Sequence, residues 1–527
     1  MKMKTGSTSR KILHNSLWYG LETILDMLVF MAASIAVARY LGPEKLGYFS
    51  AINFPVMLIC GASGTGLALA TRKYMTDFLG VGQVGAARAV YEFNYKYQLL
   101  GALVITAIGL AIVWPLVGHA NRLMAVLMVL SIIPGMMSWV PAQANLAFED
   151  ASKNTISALG YVFSYGILIV LTIRFKWDLP GVAASFLIAR TIETVMRTVP
   201  LNRFLKTLPL EPLPDELAGR IRRFCLQAIA IQVLISVVWS RSEIFFLTAF
   251  SDIKQVAFYS VSAGLADRLL IFPKVFGSAT GASLMAESAR DRFRVGSIVN
   301  NAFRYLGLIA LPVHVGAALL ARQAVWVVYG EKYMPAVPVM IIAAITAIPR
   351  AFQDMPDTLM RSADRQWDLL RCLIYTGILN MALDFALIPR YGAIGAAIGN
   401  GVGQTFGVVL LWYTARKIYE FTLPWRSMVR IGLATAVMAA VTFAVARSLS
   451  PAWALAAGVA AGAPTYMWMV RLLHALEPLD YLRLKMVGDR LPSPLRRGFD
   501  GALQFLVPGY RHAEAAAAAV GSSTKVV

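Results

Sequence analysis

Apolar residues run along the chain in long uninterrupted blocks, separated by short polar stretches. Leu99 to Leu116 and Leu433 to Ala446 contain no charged residue. The blocks fall at 16–38, 46–70, 93–116, 122–147, 155–175 and 180–200. Six more follow at 224–249, 256–284, 298–328, 334–360, 369–388 and 391–415, and a last pair at 428–447 and 452–473. About 20 apolar residues cross the hydrocarbon of a bilayer as a helix, so the pattern predicts about fourteen transmembrane helices. In lipid only helices and closed barrels satisfy every backbone N–H and C=O. A barrel alternates polar and apolar residues over about 10-residue strands. These blocks are continuous, so the expected fold class is all-α and polytopic.

Composition agrees. Of 527 residues 58% are hydrophobic and 15% charged, and the mean hydropathy is +0.62. An ordinary soluble domain has about 45–50% apolar and about 25% charged residues. The net charge is +20, which in a soluble protein would point to nucleic acid. Here the basic residues gather in alternate short loops. With the N-terminus inside, Arg72, Lys73, Arg88, Lys153, Arg203, Lys206, Arg220, Arg222 and Arg223 are cytoplasmic, as are Arg290, Arg361, Arg416 and Lys417. The opposite loops hold fewer, among them Lys45, Lys176, Lys254 and Arg390. This bias predicts both termini on the cytoplasmic side, which an even number of spans requires. The first apolar block is long enough to remain as a span rather than be cleaved as a signal.

The two halves echo each other. Leu46-Gly47-Tyr48-Phe49-Ser50 resembles Val256-Ala257-Phe258-Tyr259-Ser260, and Pro180-Gly181-Val182-Ala183-Ala184 resembles Ile394-Gly395-Ala396-Ala397. The offset is about 210 to 214 residues, or six helices. Even parity makes the halves parallel, so a repeat axis along the membrane normal and a cavity between lobes are expected. The organisation that follows is a cytoplasmic N-terminus at 1–15, an N-lobe at 16–200 and a linker at 201–223. A C-lobe at 224–415, a helix pair at 428–473 and a cytoplasmic tail at 477–527 complete it. The basic tail reads either as a segment lying on the anionic inner leaflet or as a disordered extension.

Charged residues inside spans are costly, so they face a cavity or a partner. Glu22 and Asp26 in the first span are four apart and share a face. They read as a proton or cation site, or as an interfacial Glu22 with Asp26 paired to an arginine. In the second half Arg241, Arg268, Lys274 and Arg304 lie within spans, with Glu243, Asp267 and Asp384. Such cations suit a phosphate-bearing substrate; they equally suit structural pairs. Arg350 and Asp354 read as an i,i+4 pair. Asn53, Gln143, Asn145, Gln404 and other amides could line a sugar-binding cavity or join helices. The small-residue run Gly392 to Gly407 reads as a close helix contact.

Enzyme signatures are missing from the sequence. The five histidines are scattered and the three cysteines, Cys60, Cys225 and Cys372, are far apart, so neither a metal site nor a disulfide framework is expected. No GxxxxGK[ST] loop occurs, and Gly61-Ala62-Ser63-Gly64-Thr65-Gly66 reads as packing or a local break within a span. No cofactor is expected.

Ala38-Arg39-Tyr40-Leu41-Gly42-Pro43-Glu44-Lys45-Leu46-Gly47-Tyr48-Phe49-Ser50 resembles the segment after the first span of polysaccharide flippases. These are oligosaccharide-lipid exporters of the multidrug/oligosaccharidyl-lipid/polysaccharide superfamily. Ile388-Pro389-Arg390-Tyr391-Gly392-Ala393-Ile394-Gly395 is similar to their entry to the twelfth span, and the resemblance covers about residues 10 to 475. It implies two six-helix lobes plus a helix pair in a bacterial inner membrane. It also implies a non-enzymatic transporter. This would move an undecaprenyl-pyrophosphate-linked oligosaccharide outward by alternating access, for a lipopolysaccharide or exopolysaccharide, with an ion gradient as the drive. Partners would be membrane lipids, a polymerase and a chain-length regulator, and no nucleic acid. The substrate candidates are Arg241, Arg268, Lys274, Arg304 and Gln404, and the ion candidates are Glu22, Asp26 and Asp267. A multidrug exporter, a lipid-linked peptidoglycan precursor flippase and a membrane-embedded synthesis enzyme or scaffold are the alternatives.

Overall fold

The computed structural model describes residues 8–213, 215–239, 242–271, 273–274, 276–277, 292–489 and 493–510. Within these ranges the side chains of 8–24, 26, 215, 234, 237–239, 292–294, 486–487 and 493–495 are not described. Among the described residues every regular element is helical. Nine segments are long and apolar enough to cross a membrane, against the fourteen expected. Two of them, Met27–Gly80 and Gln366–Arg416, have 54 and 51 residues. Each is two helices joined at a kink, at Gly42 and at Gly392, and at 1.5 Å per residue their combined length is about 80 Å, enough for two crossings. The protein is thus a multi-pass helical membrane protein.

Two compact units partition the chain: residues 1–260 with 384–393, and residues 261–383 with 394–527. In the first, α1 (Thr8–Gly80) is followed by α2 (Val84–Leu116), α3 (His119–Leu130), α4 (Ile132–Met137) and α5 (Trp139–Ala147). Then come α6 (Ser152–Phe175), α7 (Asp178–Leu205), α8 (Asp215–Trp239), α9 (Glu243–Phe250) and the start of α10 (Ile253–Leu269). Helix α1 packs on α2, α5, α6 and α8, and α7 packs on α3 and α6. Helix α1 is continuous across 61–66, and two of the three glycines there are packing positions. A Cβ on Gly64 would lie 2.5 Å from the Trp139 ring, and one on Gly66 2.9 Å from the Cys225 carbonyl.

The span written as 122–147 is broken twice, between α3 and α4 and again between α4 and α5. Pro134 and Pro141 account for this. Each lacks an N–H and crowds the carbonyl four residues earlier, that of Leu130 and Met137 respectively. Both breaks fall directly after those carbonyls, at Ser131 and Ser138.

Four backbone breaks recur in pairs. In α1 the helix is interrupted at Gly42, with φ 72°, a left-handed value that glycine adopts without steric cost. Lys176 and Asp178, at φ 56° and 54°, separate α6 from α7. The second pair lies at Ser251, between α9 and α10, and at Gly392, φ 52°. In each pair the two breaks meet. The Asp178 N–H donates to the Tyr40 hydroxyl at 3.0 Å, and Lys45 pairs with the Asp178 carboxylate. The Ala393 N–H donates to Gln255 Oε1 at 3.1 Å. Lys45 and Gln255 are 210 residues apart, the offset of the sequence echo.

The second unit holds the rest of α10, then α11 (Arg292–Leu319), α12 (Ala321–Tyr329), α13 (Val337–Arg350) and α14 (Asp354–Ser362). Most of α15 (Gln366–Arg416), then α16 (Trp425–Ser448) and α17 (Pro451–Leu472), follow. Two short helices close it, α18 (Pro478–Gly488) and α19 (Ser493–Leu506). The glycine run of α15 is a contact surface. A Cβ would stand 2.4 Å from Thr346 at Gly401, 2.8 Å from Asn380 at Gly403 and 2.7 Å from Thr376 at Gly407. The described part of the tail is folded: Tyr481, Leu503 and Val507 are buried with Ile431 and Val470 of α16 and α17.

Candidate functional site

Helix α7 carries Arg190, Glu193 and Arg197, spaced three and four residues apart and therefore on one face. Arg190 Nη1 lies 2.8 Å from Glu193 Oε2, and Arg197 Nη2 lies 3.0 Å from Glu193 Oε1. One carboxylate thus bridges two guanidiniums, leaving one net positive charge. Glu193 and Arg197 are 6% and 9% exposed, whereas the Arg190 side chain keeps 25%.

Neighbouring helices hold both arginines in place. The Arg190 guanidinium lies over the Tyr161 ring of α6 at 4.2 Å and near Phe186 at 5.4 Å, an attraction between cation and ring quadrupole. Arg197 Nη1 donates to the Ser138 hydroxyl and, at 3.3 Å, to the Ser138 carbonyl. Ser138 is the junction residue between α4 and α5. The Thr194 hydroxyl donates to the Pro134 carbonyl at 2.7 Å, fixing the same junction.

The three charged residues line a cavity of about 340 Å³ inside the first unit. Its remaining wall includes Ser131, Ser138, Gln143, Asn154, Cys60 and Trp139. The Arg190 Nε and the Gln143 Oε1 have no hydrogen-bond partner among the described residues. Asn154 is held by Asn145 at 3.0 Å and by the Ala142 carbonyl at 2.8 Å. The cavity therefore offers two planar cations suited to oxyanions, amide and hydroxyl groups suited to sugars, and an aromatic wall.

Arg190, Glu193 and Arg197 interrupt the apolar block at 180–200 and are not among the candidates read from sequence. Three charges at one helical face in a span were the available signal. Gln143, one of the span amides that could line a sugar-binding cavity, does line this one.

Of the other candidates read from sequence, Asp267, Arg268, Lys274, Arg304 and Gln404 do not line this cavity. Arg241 lies outside the described residues, as do the side chains of Glu22 and Asp26. Asp267 pairs with Arg350 at 2.7 Å, across helices rather than within one. Asp354 stays within electrostatic reach of Lys274 and Arg350. These four form one charged group in the second unit, next to the half-buried Arg268. Gln404 is buried on α15. Arg304, 2% exposed, is taken up by the tail: its guanidinium meets the Asp480 carboxylate and, at 2.8 Å, that of Glu477. In the first unit Glu243 and Asp384 are both fully buried, and Tyr259 donates to Glu243 at 2.7 Å.

Among the described residues no cluster of three or more His, Cys, Asp or Glu could hold a metal ion.

The sequence matches a family described as polysaccharide biosynthesis protein over residues 37–338. It is 22% identical over 232 residues to a probable flippase, AglR, of Haloferax volcanii, which covers 43% of this chain and 48% of that one. It is 26% identical over 180 residues to the teichuronic acid biosynthesis protein TuaB of Bacillus subtilis, covering 32% and 37%. The chain thus matches half or less of the length of these relatives. Among solved structures, the lipid II flippase MurJ in an inward closed conformation superposes with a TM-score of 0.68 at 15% identity, over 88% of this chain and 99% of that one. An inward-facing multidrug resistance MATE family transporter of the MOP superfamily gives 0.63 at 18%, over 75% and 94%. At these identities the likeness shows a shared fold.

Proposed function

Because the chain belongs to the polysaccharide biosynthesis protein family, we propose that it is a flippase carrying a lipid-linked oligosaccharide from the cytoplasmic to the outer leaflet of a bacterial inner membrane. The carrier would be a polyprenyl pyrophosphate such as undecaprenyl pyrophosphate, and the product a cell-surface polysaccharide. The protein acts as a transporter and not as an enzyme. Both termini are cytoplasmic in this reading.

The observation that carries the proposal is the cavity in the first unit built on Arg190, Glu193 and Arg197. A sugar-diphosphate headgroup cannot enter hydrocarbon unaided, because each unpaired polar or charged group costs several kcal/mol or more. A cavity holding two guanidiniums with amides and an aromatic wall replaces the lost hydration, while the polyprenyl chain remains in lipid. A cationic drug would meet the wrong sign of charge there, which sets this reading above a drug exporter. The names of the flippase relatives and the shared transporter fold support the same class.

Alternating access follows from two six-helix lobes at 16–200 and 224–415, with a linker at 201–223 and a helix pair at 428–473. The matched breaks at Gly42 with Asp178, and at Ser251 with Gly392, support that repeat. Within the second half Arg241, Arg268 and Lys274 are proposed as further contacts to the pyrophosphate, with Gln404 beside them. Glu22, Asp26 and Asp267 are proposed for coupling to a proton or sodium gradient. Arg304 is assigned to the tail instead. A polymerase and a chain-length regulator are the proposed protein partners.

The test is a gene deletion in the host, followed by sidedness of the lipid-linked oligosaccharide in right-side-out and inverted vesicles, read with an impermeant glycosidase. Accumulation on the cytoplasmic leaflet is expected, restored by the wild-type gene and not by Arg190→Gln or Arg197→Gln. Normal sidedness in the deletion strain, also after removal of any paralogue, would refute the proposal.

A further inference from the structure

Glu193 does more than neutralise a neighbour. It is one carboxylate whose two oxygens each engage a different guanidinium, at 2.8 and 3.0 Å. Two oxyanion arms about one carboxylate apart, each reaching one arginine, are also what a diphosphate presents. In its present position the side chain occupies the cationic faces that the substrate reading requires.

The arginines are restrained independently of Glu193. Arg190 rests on the Tyr161 ring and Arg197 is tied to Ser138. Withdrawal of the carboxylate therefore leaves two positioned cations facing the cavity. Glutamate differs in this respect. Among the described residues its carboxylate meets these two arginines, and its side chain has three rotatable bonds to swing aside.

We propose that Glu193 is an internal stand-in for the substrate: a diphosphate headgroup displaces it from Arg190 and Arg197, and its return expels the headgroup at the other leaflet. This rests on the flippase reading of the same cavity. Competition of this kind weakens apparent binding by the fraction of protein in which the arginines are free. If that fraction is a tenth or less, removing the carboxylate tightens binding about tenfold or more. The gain in binding comes with a loss of release, so affinity and transport move in opposite directions. A carboxylate needed only for packing would lower both.

The experiment uses the full chain in nanodiscs and farnesyl pyrophosphate as probe, with farnesol as the uncharged control, read by calorimetry. Glu193→Gln keeps size and one hydrogen-bonding arm. It should bind the probe about tenfold tighter than wild type, while restoring less oligosaccharide export in the deletion strain. Glu193→Asp, which keeps the charge on a shorter arm, should fall between the two. A folded, monodisperse Glu193→Gln protein with unchanged or weaker binding overturns the proposal while leaving the cavity reading intact, provided Arg190→Gln and Arg197→Gln still weaken binding. If the arginine variants and wild type bind the probe alike, the cavity reading fails and the proposal with it.

Discussion

The tail contact in the second unit permits a quantitative test. Asp480 is fully buried, and Arg304 of α11 is 2% exposed. Their pair joins residues 176 positions apart. Removing one member of such a pair costs about 3–5 kcal/mol, because the other charge stays buried without its partner. Asp480 also receives the Tyr305 hydroxyl and, at 2.8 Å, the Glu477 N–H, while Arg483 lies at 3.6 Å. These contacts place Arg304→Met toward the low end, about 3 kcal/mol, which is roughly a hundredfold at 1.4 kcal/mol per decade. The assay is limited trypsin digestion of inverted vesicles, followed at Arg483 and Lys485. When reclosing is faster than cleavage, the rate follows the open population. Arg304→Met should therefore be cut in the tail roughly a hundred times faster than wild type. The double variant Arg304→Met with Asp480→Asn should return toward the wild-type rate, since both charges go together while the amide oxygen still offers an acceptor to the Tyr305 hydroxyl or the Glu477 N–H. A single variant cut at the wild-type rate, or a double variant as labile as the single one, would refute the reasoning.

Two further tests concern glycines. A Cβ on Gly47 would lie 2.1 Å from the Ile253 carbonyl oxygen, backbone against backbone. Gly47→Ala must therefore part that contact at a cost of about 1–3 kcal/mol, and a cysteine placed at Ile253 should react faster with a maleimide in this background; an unchanged rate would contradict it. In α15, Gly401→Leu meets Thr346 at 2.4 Å and should lower the thermal midpoint of the purified protein. Gly432→Ala in α16, where nothing lies within 4 Å, should leave it unchanged or raise stability by up to about 1 kcal/mol. Equal effects of the two would mean that the glycine run is not a packing surface.

Much of the architecture is legible along the chain, for a reason that lies in the solvent. Lipid accepts no unpaired backbone group, so a charge-free run such as Leu99 to Leu116 has one available structure. The glycines of α15 announce close packing because a bare backbone admits a neighbour that any side chain would exclude. The echo at an offset of about 210 to 214 residues has a structural counterpart: the break at Gly42 corresponds to that at Ser251, and the break at Asp178 to that at Gly392. Charge partners are another matter. Hydropathy averages over all faces of a helix, whereas a salt bridge depends on how each helix is rotated and how high it stands beside its neighbour. Arg350 could be written beside Asp354 from spacing alone, yet it reaches Asp267, 83 residues away. Arg304 was readable as a cavity cation, yet a segment readable as disordered supplies Asp480. Arg190, Glu193 and Arg197 share a face by their spacing, but that they line a cavity depends on Ser138, Tyr161 and Gln143 arriving from α6 and the broken span. Sequence determined which segments must be helices in a membrane; only the packing of those helices decided which buried charges neutralise one another and which are left facing a cavity.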